Sequence, residues 1–136
     1  MQILDRAQPL APLILRLALG AVLFAHGYAK VFGGLAAHTH FVAGIGLPAW
    51  MGYVSAGTEF LGGLLLILGL LTRLAGLAVT VEMLVAIFRV HLKHGLVGAG
   101  GYEFPLMIAA VGFALILIGP GPISVDWLLG GGGSRR

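Results

Sequence analysis

The chain contains no cysteine, so it can build no disulfide, thiolate metal site or thiol relay of its own. Charge is scarce as well. Only 10% of its 136 residues are Asp, Glu, Lys or Arg, where soluble domains carry about a quarter. A chain this short and this sparsely charged cannot clothe a water-facing surface. Runs of Lys and Arg interleaved with aromatics are also missing, so a net charge of +3 gives no support to nucleic-acid binding. What is present is apolar: 59% of residues are hydrophobic and the mean hydropathy is +1.03. The composition reads as an integral membrane protein whose exterior is covered by the lipid bilayer.

Four apolar segments, at residues 10–29, 49–71, 74–92 and 103–119, approach the ~20 residues that cross a hydrocarbon core. The predicted fold class is all-α: an integral membrane four-helix bundle, up-down-up-down, in one domain over residues 1–120. The first run follows Arg6 as a signal peptide would, but it is too long for a signal h-region and reads as a helix. Residues 121–136 are expected to form a polar, Gly-rich tail, with the closing GGGGSRR disordered. Four spans place both termini on one side with Arg6, Arg73, Arg135 and Arg136, against Lys30, Arg89 and Lys93 on the other. The positive-inside rule then predicts cytoplasmic termini. Arg16-Leu-Ala and Arg73-Leu-Ala open the first and third helices, while Glu59-Phe and Glu103-Phe fall in the second and fourth. A tandem repeat of two helical hairpins would give this pattern.

The informative residues are the ionisable groups within these spans: Arg16, His26, Glu59, Glu82, Arg89, His91 and Glu103, with Lys30 at a helix end. A charge facing lipid at mid-bilayer costs at least ~2.5–3.5 kcal/mol, so most should point inward and pair. Small residues share their faces, as Gly62 and Gly63 follow Glu59, and as Ala21, Ala25 and Ala29 flank His26. At ~1.5 Å per residue, Glu59 and Glu82 fall near mid-membrane. His26, Lys30, Arg89, His91 and Glu103 fall near the non-cytoplasmic rim and define a predicted polar layer. Arg16 is expected to answer Glu59 or Glu82, and Arg89 either to snorkel to the interface or to pair with Glu82 or Glu103. His38, His40 and His94 read as solvated loop residues. His26, His91, Glu59 and Glu103 are acceptable metal ligand types, but no HxxxH or ExxH pair occurs within a helix, so no metal site is predicted. Haem held by two histidines lacks any attachment motif.

At these residues the chain resembles the DoxX family of small four-helix bacterial membrane proteins. The stretches that carry the resemblance are RLALGAVLFAHGYAKVFGG from Arg16, EFLGGLLLILGLLTRLAG from Glu59 and EFPLMIAAVGFALILIGPGPISVD from Glu103. The resemblance implies a multi-pass protein of the bacterial inner membrane. It further implies a subunit of a thiosulfate:quinone oxidoreductase, or a membrane partner of redox and sulfur-handling enzymes. The positions it marks are Arg16, His26, Gly27, Lys30, Glu59, Arg73, Glu103 and Asp126.

The leading expectation is therefore a quinone-linked oxidoreductase or its membrane subunit. In that reading His26, Glu59 and Glu103 are the catalytic candidates, with His26 exchanging a proton and a glutamate relaying it. Arg16, Lys30, Glu82, Arg89 and His91 are the candidates for binding a quinone cofactor or a small anionic substrate. Two other readings stand beside it: a non-catalytic scaffold that recruits a soluble redox enzyme, and a small transporter that works as a homo-oligomer.

Overall fold

The computed structural model describes residues 1–130, and among these the fold is entirely helical, with no strand. Helix α1 (Gln2–Ala7) meets α2 (Ala11–Gly33) through a 3-10 turn at Gln8–Leu10, where Pro9 cannot supply a helical N–H. Helix α3 (Leu35–Gly44) follows, then α4 (Met51–Leu68) and α5 (Thr72–Ala86). Helix α5 runs on into a wide π-helical turn at Ile87–His91 and a 3-10 turn at Leu92–His94. Helix α6 (Glu103–Ile118) and the short α7 (Val125–Leu129) complete the described chain.

Among the described residues three continuous helical stretches are long and apolar enough to cross a membrane: Gln2–Gly33, Met51–Leu68 and Thr72–His94. Helix α6 is equally apolar but shorter. Leu17, Leu61, Leu77 and Leu117 are among the many large apolar side chains on the outside, as a lipid-covered surface requires.

The long helices pack in pairs, α2 along α4 and α5 along α6. Glycine sets both contacts. A Cβ on Gly63 would lie 2.8 Å from the Gly20 carbonyl oxygen, and one on Gly76 would lie 2.8 Å from that of Gly112. Only backbones without side chains approach so closely, which gives helices in lipid their dispersion contact. Leu19, Leu23, Leu66, Val79, Ile108 and Leu115 fill the shared interior.

An arginine repeats the pairing. The fully buried Arg16 donates from Nη1 to the Leu66 carbonyl at 3.3 Å, and from Nη2 to the Ile123 carbonyl. Arg73 donates to the Ile116 carbonyl and, at 3.5 Å, to that of Leu117. Each arginine thus stands early in the first helix of a pair and meets last-turn carbonyls of the second. Such carbonyls lie at the negative end of the helix dipole, and Leu66 O keeps room for Arg16 beside the capping Gly69 N–H at 3.2 Å. The two Arg-Leu-Ala matches in the sequence share this geometry. The two Glu-Phe matches do not, since Glu59 is buried and Glu103 is exposed.

The C-terminal segment closes the same end. Asp126 accepts from the Leu71 N–H at 2.8 Å and the Thr72 N–H at 2.9 Å, capping α5. Leu71 has a left-handed φ of 50°, and the carboxylate holds it there. The Asp126 N–H in turn donates to the Gly69 carbonyl at 2.9 Å.

Three sequence expectations differ from this fold. Helix α2 continues past Ala29 to Gly33, because no proline or glycine pair interrupts it earlier, and Lys30 is therefore a helical residue. The connection after α2 contains α3 rather than only a loop. Residues 121–130, expected as a polar, Gly-rich tail, form an anchored turn and α7. The closing GGGGSRR lies outside the described residues beyond Gly130.

Candidate functional site

The other end of the helix pairs holds a cavity of about 610 Å³, within the ~300–1,000 Å³ typical of small-molecule sites. All four long helices, α3 and the π-helical turn contribute to its wall, which is largely apolar. Its polar groups are His26 and Lys30 from α2, Ser55, Thr58 and Glu59 from α4, Glu82 from α5, and His91 from the π turn.

Lys30 Nζ lies 2.6 Å from Glu59 Oε2. The two residues belong to α2 and α4, and their helices touch backbone to backbone beside them. A Cβ on Gly27 would fall 2.7 Å from the Glu59 carbonyl carbon. The missing side chain is what lets a lysine on α2 reach a carboxylate on α4.

Glu82 belongs to a second polar chain. Its Oε1 accepts from the Ser55 hydroxyl at 2.5 Å, and Ser55 Oγ is 3.1 Å from His38 Nε2 on α3. Because the single Ser55 proton is directed at Glu82, His38 Nε2–H is the donor to Ser55. Glu82 Oε2 is buried and has no hydrogen-bond partner among the described residues. An orphaned carboxyl oxygen on a cavity wall marks a place where a ligand group can be bound.

His38 is half-buried. Burial and the neighbouring Lys30 charge hold its imidazole below the ordinary pKa, partly offset by Glu59. Helix α3 seats closely because Gly52 faces it, where a Cβ would lie 2.8 Å from Thr39 Cα. On the far wall His91 donates from Nδ1 to the Gly100 carbonyl at 2.8 Å, which leaves Nε2 as an acceptor. The π-helical turn adds one residue to the winding and so re-aims His91 toward the cavity. His26 stands exposed at the cavity edge, its ring 5.9 Å from that of Phe104 in an edge-on contact.

The predicted site residues thus divide. His26, Lys30, Glu59, Glu82 and His91 share one cavity. Arg16 does not join them. It meets neither Glu59 nor Glu82, because the Leu66 carbonyl at the end of α4 and the Ile123 carbonyl before α7 take its donors at the opposite end. Arg89 is exposed and pairs with neither Glu82 nor Glu103 among the described residues. Glu103 is exposed at the first residue of α6, where a negative charge suits the helix dipole. The polar layer accordingly runs through Glu59 and Glu82 rather than through Arg89 and Glu103. Arg73 and Asp126 also sit at the opposite end as helix caps. No cluster of three metal-ligating side chains occurs among the described residues.

Sequence reasoning missed Ser55 and His38. Ser55 stands one helical turn before Glu59 on the same face, a spacing that could have placed it in the cavity. His38 gave no such signal, because its helix is short and weakly patterned.

The DoxX family model matches residues 11–92. The chain belongs to the DoxX family. It is a membrane protein of apolar helices. The chain is 33% identical over 112 residues to a Bacillus subtilis (strain 168) protein named "Putative oxidoreductase CatD", covering 82% of this chain and 83% of that one. It is also 36% identical over 78 residues to an uncharacterized protein of Haemophilus influenzae, covering 57% of this chain and 52% of that one. No solved structure matches. The matched span holds both halves of the design: Arg16 and Arg73 at one end, and His26, Lys30, Glu59, Glu82 and His91 at the other.

Proposed function

We propose that this DoxX protein is the membrane subunit of a quinone-linked oxidoreductase, with the cavity receiving the quinone head group. The orphaned Glu82 Oε2, on an otherwise apolar wall, carries the reading. A quinone needs an apolar slot for its ring and hydrogen-bonding groups at its oxygens, and its reduction takes up two protons with two electrons. Glu82 and the acceptor-poised His91 can bind and move protons there, and His26 stands at the mouth. Glu103 has no part in this scheme. Lys30 is committed to Glu59 and Arg89 lies outside the cavity, so a neutral ligand suits the site better than an anion such as thiosulfate. The relative named as an oxidoreductase agrees with redox chemistry.

The chain brings no thiol, so the electrons are assigned to a soluble redox partner. The bundle is taken to cross the inner membrane four times, up-down-up-down, with α2–α4 and α5–α6 as its hairpins. Arg6 and Arg73 then face the cytoplasm, and the cavity opens toward the opposite half of the membrane.

The test is direct. Protein purified in nanodiscs should yield an extractable quinone or bind an added one saturably, and Glu82→Gln and His26→Ala should each weaken binding about ten-fold or more, the size of one hydrogen bond to a buried group. Absence of both extractable and saturable quinone would remove the proposal.

A further inference from the structure

We infer that His38, Ser55 and Glu82 form a proton wire that connects the α3 face of the protein to the cavity. The wire rests on the redox reading for its purpose, but its chemistry can be followed with no quinone present.

Three observations carry the inference. The chain is continuous, with His38 Nε2 3.1 Å from Ser55 Oγ and Ser55 Oγ 2.5 Å from Glu82 Oε1. Its direction is set, because the Ser55 proton is engaged with Glu82 and only the His38 Nε2–H can fill the remaining gap. Its ends lie in different places: His38 is half-exposed on a short helix outside the spanning segments, whereas Glu82 presents a buried, unpartnered oxygen at the cavity. The chain thus joins an imidazole, which can take a proton at one ring nitrogen and release one from the other, to an unfilled acceptor on the cavity wall.

The step balances without any further reactant. A hydronium ion gives a proton to His38 Nδ1 and leaves as water. The Nε2 proton passes to Ser55 Oγ while the Ser55 proton passes to Glu82, so the carboxylate gains one proton and the imidazole ends neutral. Once Glu82 releases that proton into the cavity, the hydroxyl rotates back toward the carboxylate, and the imidazole recovers its Nε2–H tautomer by exchange with water. The charged and titratable neighbours suit this traffic. Lys30 from α2 and Glu59 from α4 face His38 and Glu82 as a mutually neutralising pair, and His26 and His91 stand farther round the same cavity. Among the described residues no lone fixed charge faces the route.

The wire makes His38 and Ser55 proton-relay residues of a kind that substitution and rescue can separate from structural ones. The measurement is infrared spectroscopy of the full chain in nanodiscs after a pH jump, without quinone. Glu82 is identified as the carboxyl C=O band lost in Glu82→Gln. In the wild type the Glu82 band should follow the jump rapidly. His38→Ala and Ser55→Ala should slow it by at least about ten-fold at unchanged final amplitude, as loss of a general acid–base group does. Added imidazole should restore the rate of His38→Ala, and Ser55→Thr, which keeps the hydroxyl, should behave as wild type. Circular dichroism identifies any variant that fails to fold, and Ser55→Ala serves if His38→Ala does. Equal rates in the wild type and folded variants would overturn the wire. A failed quinone titration with slowed variants would remove the redox reading and leave the wire standing.

Discussion

Lys30 Nζ lies 2.6 Å from Glu59 Oε2, and the pair ties α2 to α4 with the carboxylate only 8% exposed and the ammonium 29% exposed. Removing the cation leaves a buried carboxylate without its partner. Lys30→Met should therefore lower stability by about 2–3 kcal/mol, less than for a fully buried pair because the lysine keeps some water. Glu59→Gln placed on that background should recover most of the loss. Unfolding in mixed micelles measures both, and a Lys30→Met penalty that Glu59→Gln leaves intact would show that the two residues are not coupled.

Arg16 supports a different prediction, at the far end of the same helix. Its guanidinium holds the last turn of α4 through Leu66 and the C-terminal segment through Ile123. Lysine cannot divide its donors between two carbonyls in that planar arrangement. Arg16→Lys is expected to release the segment from Ile123 to Leu129 while leaving the cavity in place. Amide hydrogen exchange should rise across α7 and stay unchanged at Ser55 and Glu59. Uniform exchange across the chain would instead assign Arg16 to the whole fold.

These two ends explain how much of the protein was legible in its sequence. Hydropathy alone located the long helices, because lipid demands apolar length. By depth counting, Glu59 and Glu82 fell near mid-membrane and His26, Lys30 and His91 near the non-cytoplasmic rim, because helical rise is regular. Only the fold joins the two levels in one cavity. What depth counting could not supply was partner choice. Arg16 looked like the answer to a buried carboxylate, but the carbonyls of Leu66 and Ile123 take its donors, and Glu59 found Lys30 once α2 ran a turn longer than expected. Glu103 looked equivalent to Glu59 by its Glu-Phe match, yet it opens its helix where Glu59 lies mid-helix. Helix α3 was hidden because ten residues of weak patterning do not announce a helix. With it went His38, and with His38 the proton chain.

Gly27 tests whether the contact between α2 and α4 positions the ion pair. A Cβ there would press on the backbone of Glu59 and Phe60, which cannot turn aside as a side chain can. Gly27→Ala should cost about 1–3 kcal/mol or more through overpacking. Gly57→Ala is the control, since a Cβ at that position meets nothing within 4 Å, and it should be neutral or slightly stabilising by helix propensity. Thermal unfolding of the two variants in the same detergent gives the comparison. Equal effects would mean that the α2–α4 approach is loose enough to absorb a methyl group.

The position of His38 predicts a pH dependence with a definite sign. Burial first, and the Lys30 charge second, hold its pKa below the ordinary imidazole value of 6.5, with Glu59 opposing them. When α3 detaches, the imidazole returns to that ordinary value and binds protons more readily than in the docked state. The docked state is therefore stabilised above the ordinary value, and this contribution is lost as pH falls below it toward the lower, docked pKa. Amide exchange in α3, corrected for intrinsic rates, should accelerate between about pH 7.5 and pH 5, the range that brackets ordinary imidazole titration. His38→Gln keeps an N–H donor toward Ser55 but does not titrate in this range, so the acceleration should vanish in that variant. The other histidines remain in both proteins, and the difference between them isolates His38. An identical pH slope in the two would place the titrating group elsewhere and leave α3 docking independent of its imidazole.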